Sequence, residues 1–131
     1  ECGTTLIEDV GVPVPRIGEL VTGVERIAEQ RDTMIATVGH AGDGNFHPLI
    51  CFDPADPDAV ARADKAFADV VALALSLGGT LTGEHGVGTV KQPYLVDQLG
   101  ADILDVSRRI KEALDPLGIL NPGKVLSAVR P

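Results

Sequence analysis

Residues 33–53, TMIATVGHAGDGNFHPLICFD, constrain this chain more than any other stretch. Two runs rich in β-branched and aromatic residues, 33–40 and 45–53, flank a turn whose strongest signal is Asp43-Gly44. That pair is favoured at the centre of a two-residue type I′ turn, a connection used by antiparallel hairpins. Any fold of this chain must therefore contain these two strands side by side, with one face buried.

The flanking segments narrow the choice. TTLIEDVGVP (4–13) has β-branched residues, partial alternation and a proline stop, and reads as a strand. PRIGELVTGVERIAEQ (15–30) carries Ile17, Leu20, Val21, Val24, Ile27 and Ala28 at helical spacing, with Pro15 suited to a first turn. Residues 56–79 form a second, longer helix, with Asp56 as N-cap, Pro57 at the first helical position and glycines at the end. GTLTGEHGVGT (79–89) reads as a short strand breaking into a glycine loop. A last helix runs from about Asp102 to Leu114 on Ile103, Val106, Ile110 and Leu114, stops at Asp115-Pro116, and leads into an irregular tail. The order strand-helix-strand-strand-helix-strand predicts an α+β fold: a ferredoxin-like βαββαβ antiparallel sheet with helices on one face, plus a C-terminal helical extension. The expected organisation is one domain over 1–131, with the ferredoxin-like core in 1–90 and the helical extension and tail in 91–131. The start, ECGTTLIEDV, has neither a methionine nor a signal-peptide pattern, and reads as a fragment of a longer chain.

Composition decides several function classes. At 131 residues and 44% hydrophobic content the chain can bury a core, and with only 3% aromatics that core must come from Val, Leu, Ile and Ala. A net charge of −8 argues against nucleic acid or anionic membrane as a partner. The longest apolar run, VVALALSL (70–77), is far short of a membrane span. Two cysteines, Cys2 and Cys51, are too few for a disulfide framework; they read as buried or incidental, and the default compartment is the cytoplasm.

All three histidines lie beside flexible backbone. With Asp43-Gly44 as a two-residue turn, Gly42 pairs with Asn45, Ala41 with Phe46 and His40 with His47. Directly opposed residues share a face, with Cβ atoms roughly 4.5–5.5 Å apart, a separation that suits two imidazoles on one metal. Pro48 falls opposite Gly39 at a non-hydrogen-bonded position, which implies a sheet edge on its other side. In GEHGVG (83–88), Glu84 would complete a His-His-Glu set fit for zinc, manganese or iron, with positions left open for substrate. His85 would point elsewhere and stay free as an acid or base. The same residues also suit a self-contained His/His/Glu zinc hydrolase, or a metal-free ferredoxin-like ligand-binding module whose histidines are structural. As a phosphate loop GEHGVG is weak, because no well-capped helix comes directly after it.

HAGDGNFHP, GGTLTGEHGVG and LDPLGILNPGKVL together resemble the C-terminal domain of FAD-linked oxidases in the vanillyl-alcohol oxidase superfamily, over about Ile7 to Val125. The nearest branch is that of the glycolate oxidase FAD subunit, with D-lactate and D-2-hydroxyglutarate dehydrogenases as relatives. The resemblance implies a flavoprotein oxidoreductase acting on the CH–OH group of a 2-hydroxy acid. It implies a divalent metal on His40, His47 and Glu84, with His85 as the base for the substrate hydroxyl. It implies that the NPGK tail, Asn121 to Lys124, packs near the flavin domain, in contact rather than in catalysis, with Asn121 as the cofactor-binding residue at that seam. The partners it implies are the small 2-hydroxy acid, the FAD-binding domain of the same polypeptide and other oxidase subunits. FAD would be bound mainly by that other domain, and the arginine that grips the substrate carboxylate would lie upstream of residue 1, so the isolated chain should be inactive. Leu49 stands where the 2-hydroxyglutarate branch tends to have asparagine, which favours glycolate or D-lactate.

Overall fold

The computed structural model describes residues 3–126; Cys2 lies outside them. It forms two compact units, residues 1–85 and 86–131 by number.

The first unit is built on the expected hairpin, β3 (Met34–His40) and β4 (Asn45–Phe52). Its turn differs from expectation. His40 pairs with Asn45 and Val38 with His47, so four residues, Ala41 to Gly44, form the loop. The His40 carbonyl accepts from the N–H groups of Asp43 (3.2 Å) and Gly44 (3.1 Å). The Asp43 side chain accepts from the Asn45 N–H at 3.0 Å, a local bond that favours this longer loop over a type I′ turn. Gly44 alone in this loop takes a positive φ, 79°. Its carbonyl accepts from Val12 N–H at 3.0 Å, so a contact with a segment distant in sequence, just past β2 (Val10–Gly11), selects the loop length.

The first expected strand appears as β1 (Thr4–Ile7) and β2 (Val10–Gly11), both antiparallel to β4. One register runs through both, since Ile7 faces Leu49 and Val10 faces Phe46. The ladder breaks opposite Pro48. Glu8 N–H donates to the Pro48 carbonyl at 2.9 Å, but proline has no N–H to return. Pro48 is fully buried and faces Thr37 of β3, not Gly39, so β4 is the central strand and the edge expected beside Pro48 is covered. The proline is tolerated because its missing donor falls on the side where the ladder is interrupted.

Helices α1 (Ile17–Gln30) and α2 (Pro57–Ser76) pack on each other, α1 also on β3 and α2 on β4. Leu20, Val24 and Ile27 of α1 meet Ala63, Ala66, Phe67, Val70, Val71 and Ala74 of α2, over Val10, Phe46 and Ile50 of the sheet. Each fully buried Val, Leu or Ile side chain here contributes roughly 1.5–3 kcal/mol. A Cβ at Gly23 would stand 2.4 Å from Leu73, which is how closely the helices approach. The predicted caps of α2 are present: Asp56 accepts from Asp58 N–H at 2.9 Å, and Gly78 comes after the helix at φ 74°.

After α2 the expected strand is reduced to a single bridge, Thr80 to Gly11, closed by bonds of 2.8 and 3.1 Å. That bridge still places the last segment beside the first, giving the spatial order last-first-third-second of the α+β fold expected. The strand goes no further because the next amides turn away, toward Asp9.

The second unit holds a short α3 (Leu95–Leu99), which the sequence pattern did not suggest, and α4 (Ala101–Leu114), separated by Gly100 at φ 77°. Leu95 and Leu104 are buried, while Ile103, Val106, Ile110 and Leu114 of α4 are exposed. Asp115 ends α4 and anchors residues 119 and 120 beyond it. Its carboxylate accepts from Lys111 Nζ and from the N–H groups of Ile119 (3.0 Å) and Leu120 (2.9 Å). Among the described residues no helix is long and apolar enough to cross a membrane.

Candidate metal centre

The outer face of the sheet carries the site. Residues 38 and 40 share a face with 45 and 47, because the register observed differs from the expected one by two residues and the side-chain period is also two. His40 and His47 are therefore diagonal, not opposed, neighbours. Their ring centroids lie 5.5 Å apart and the rings are nearly perpendicular, at 85°. His47 is almost buried and His40 is open to solvent.

The loop after Thr80 brings Glu84 to this pair. Glu84 Oε1 lies 3.3 Å from His47 Nε2 and 3.6 Å from His40 Nε2. One donor atom from each of His40, His47 and Glu84 falls within 4.8 Å of the others, a spread that one divalent cation can span. Two imidazoles and a carboxylate form a borderline-hard donor set that zinc, manganese and iron accept. The residues present fit such an ion.

His85 does not point away. Its ring stacks on His47 at 4.8 Å and 13°, and its Nε2 lies 3.8 Å from Glu84 Oε1. Strict alternation of side chains belongs to strands, and residues 82–85 are not one; their backbone curls around a carboxylate. Half-exposed, the His85 imidazole is reachable by a small molecule that contacts the other three groups.

The carboxylate belongs to Asp9, which the sequence pattern places simply within the first strand. Its Oδ2 accepts from the Thr82 hydroxyl (2.7 Å) and from the N–H groups of Gly83 (2.9 Å), Glu84 (3.1 Å) and His85 (2.9 Å). Burial would push this carboxyl up; the Thr82 hydroxyl and the His85, Glu84 and Gly83 amides more than offset it, holding its pKa at about 2. Glu8-Asp9, an acidic pair interrupting an apolar β-run, is the available signal in the sequence: such charges are buried only with partners.

Close packing supports the loop from the other side. A Cβ at Gly83 would lie 2.2 Å from Asn45 Oδ1, so Gly83 admits the loop against the buried Asn45. Asn121 lies in the second unit, exposed, at φ 47°. Its carbonyl accepts from Lys124 N–H at 3.2 Å, and it lines an open cleft of about 390 Å³ with Arg108, Lys111 and Asp115. Cys51 is half-buried.

Residues 1–125 match the family described as FAD linked oxidases, C-terminal domain. The chain is 45% identical over 124 residues to the glycolate oxidase subunit GlcD of Bacillus subtilis, covering 95% of this chain and 26% of that protein. It is 42% identical over 121 residues to the mitochondrial D-lactate dehydrogenase [cytochrome] of Arabidopsis thaliana, covering 92% and 21%. To GlcD of Escherichia coli K12 it is 39% identical over 116 residues, covering 88% and 23%. The chain thus spans about a quarter of the length of these relatives.

Proposed function

The chain belongs to the FAD-linked oxidases, as their C-terminal domain, and from that membership we propose that it serves a flavoprotein dehydrogenase or oxidase of 2-hydroxy acids. Glycolate and D-lactate are the favoured substrates, given the names borne by the relatives. In this reading His40, His47 and Glu84 hold a divalent cation, His85 is the general base, and Asn121 stands at the seam with the FAD-binding part of the polypeptide. The observation that carries it is the convergence of three histidines on one carboxylate oxygen, at 3.3, 3.6 and 3.8 Å from Glu84 Oε1.

When bound, FAD supplies the hydride acceptor and the cation supplies positive charge toward the substrate hydroxyl and carboxylate. The chain's own residues do the rest. A His85 ring nitrogen takes the hydroxyl proton as the Cα–H bond yields its hydride, so that the two-electron oxidation leaves a 2-oxo acid. The His85 ring is held for this by its stacking on His47 and by the bond from its backbone N–H to Asp9. A base fixed in place can contribute about 10²–10⁴-fold.

The test uses the flavoprotein that carries this chain. Anaerobic mixing with glycolate or D-lactate should bleach the flavin, and stripping divalent metal should stop the bleaching until zinc, manganese or iron is returned. His85→Ala should lower kcat by about 10²-fold or more with KM little changed. Retention of metal by a His40→Ala/Glu84→Gln double variant, or full flavin reduction by His85→Ala, would overturn the assignment.

A further inference from the structure

We propose that Asp9 is a positioning residue for this centre, acting as a built-in anion for the 82–85 backbone and as the acceptor that orients His47. The proposal rests on the metal reading above for its second half only. Asp9 is fully buried, in the short break between β1 and β2 and next to the equally buried Glu8. Consecutive amides from Gly83, Glu84 and His85 converge on its carboxylate, together with the Thr82 hydroxyl. Successive N–H groups aimed at one point form an anion-binding nest. Here the anion comes from the chain itself. The two residues whose amides close the nest, Glu84 and His85, are also the proposed ligand and base. Their side chains can hold position only while that backbone does.

The second role comes from the two nitrogens of His47. Its Nε2 faces Glu84 at 3.3 Å, whereas its Nδ1 faces Asp9 Oδ1 at 3.7 Å. That Nδ1 is buried and has no hydrogen-bond partner. Buried polar atoms are rarely left so, and 3.7 Å is longer than a hydrogen bond. Asp9 Oδ1, the carboxylate oxygen on the His47 side, accepts from Glu84 N–H at 3.2 Å. Closing the gap would give Nδ1 the acceptor it lacks, place the ring proton there, and leave the Nε2 lone pair directed at the cation. A carboxylate behind a metal-bound histidine fixes both tautomer and ring orientation.

Asp9, His47 and His85 also lie close enough to form an alternative ligand trio. The bonding of Asp9 argues against a direct ligand role, because Oδ2 is already shared among Thr82, Gly83, Glu84 and His85. A cation there would have to displace those donors.

Asp9→Ala in the full flavoprotein should weaken cobalt(II) or zinc retention, read by chelator competition, by about 10–100-fold. Formate, which matches the deleted carboxylate, should recover part of that loss saturably in Asp9→Ala and none of it in Asp9→Asn or His40→Ala. Ring ¹⁵N shifts of histidine-labelled wild-type protein should show His47 protonated at Nδ1 and metal-bound at Nε2. Unchanged metal retention in Asp9→Ala, alongside loss in His40→Ala and Glu84→Gln, would overturn the Asp9 role and leave the metal reading intact. Metal bound through His47 Nδ1 would also overturn it, in favour of the alternative trio. Should Asp9→Ala not fold, the wild-type ring shifts decide the matter. Should the cation prove to lie elsewhere, amide exchange decides it. Gly83, Glu84 and His85 should then be protected in wild type, exposed in Asp9→Ala and protected again with formate; unaltered protection in the variant would refute the nest.

Discussion

Replacing Gly44 with alanine should destabilise the first unit by about 2–3 kcal/mol, as the sum of two local effects. Gly44 sits at φ 79°, where an L side chain costs roughly 1–2 kcal/mol. The added Cβ would also stand 2.0 Å from the Val12 carbonyl oxygen, which is backbone and cannot swing aside. Moving the two segments apart would break the 3.0 Å bond from Val12 N–H to the Gly44 carbonyl, for about 1 kcal/mol more. Gly42 provides the control within the same loop: it has no positive φ, and a Cβ there would meet nothing within 4 Å. Urea unfolding, tracked by far-UV circular dichroism, should therefore show a lower midpoint for Gly44→Ala and an almost unchanged one for Gly42→Ala. Because the loop sets the diagonal placement of His40 and His47, Gly44→Ala should also weaken metal binding. Equal midpoints for the two variants would refute the reasoning, since they share chemistry and differ only in φ and in the neighbouring carbonyl.

Gly83→Ala should push residues 82–85 off Asp9, because its Cβ would lie 2.2 Å from Asn45 Oδ1. Metal affinity should fall, and the double variant Gly83→Ala/Asn45→Ala should recover more than half of the loss by making room; no recovery would mean that the clash is not the cause. A pH effect is expected in the second unit. Lys111 first, and then the Leu120 and Ile119 amides, hold the Asp115 carboxyl below its ordinary value of 3.8. A depressed folded-state pKa gives stability that is complete above the ordinary value and is lost as pH falls through the folded one. Protection of the Ile119 and Leu120 amides, taken relative to the intrinsic exchange rate at each pH, should thus stay high near neutrality and fall below about pH 3.8, and Asp115→Asn should remove that fall. Protection that stays constant across this range in wild type would contradict it.

Much of the fold was legible from spacing alone. The helix of 15–30, the Asp56-Pro57 cap of α2 and both strands of the central hairpin depend on residues close in sequence, so the local pattern carries them. Face membership was legible for a similar reason. His40 and His47 share a face in any register that differs by an even number, and the slip observed is two. The register was not legible, because Val12 N–H, just past β2 and distant in sequence, selects the loop by bonding Gly44. Pro48 was readable as a place where pairing must fail, but only the sheet shows that the failure falls inside it, between β1 and β2.

The motif residues His40, His47, Glu84 and His85 announce themselves by type and by neighbouring glycine. Asp9 shows itself only as half of an acidic pair, Glu8-Asp9, inside an apolar run, and its role stays hidden until its surroundings are known. Its meaning comes from backbone amides more than seventy positions away. Those amides could have extended a fourth strand; they close on a buried carboxylate because an ionised group without partners is too costly to bury. Sequence determined which side chains could do the chemistry. Tertiary structure decided which of them meet, and that the amides beneath Glu84 and His85 close on Asp9, in the break between β1 and β2.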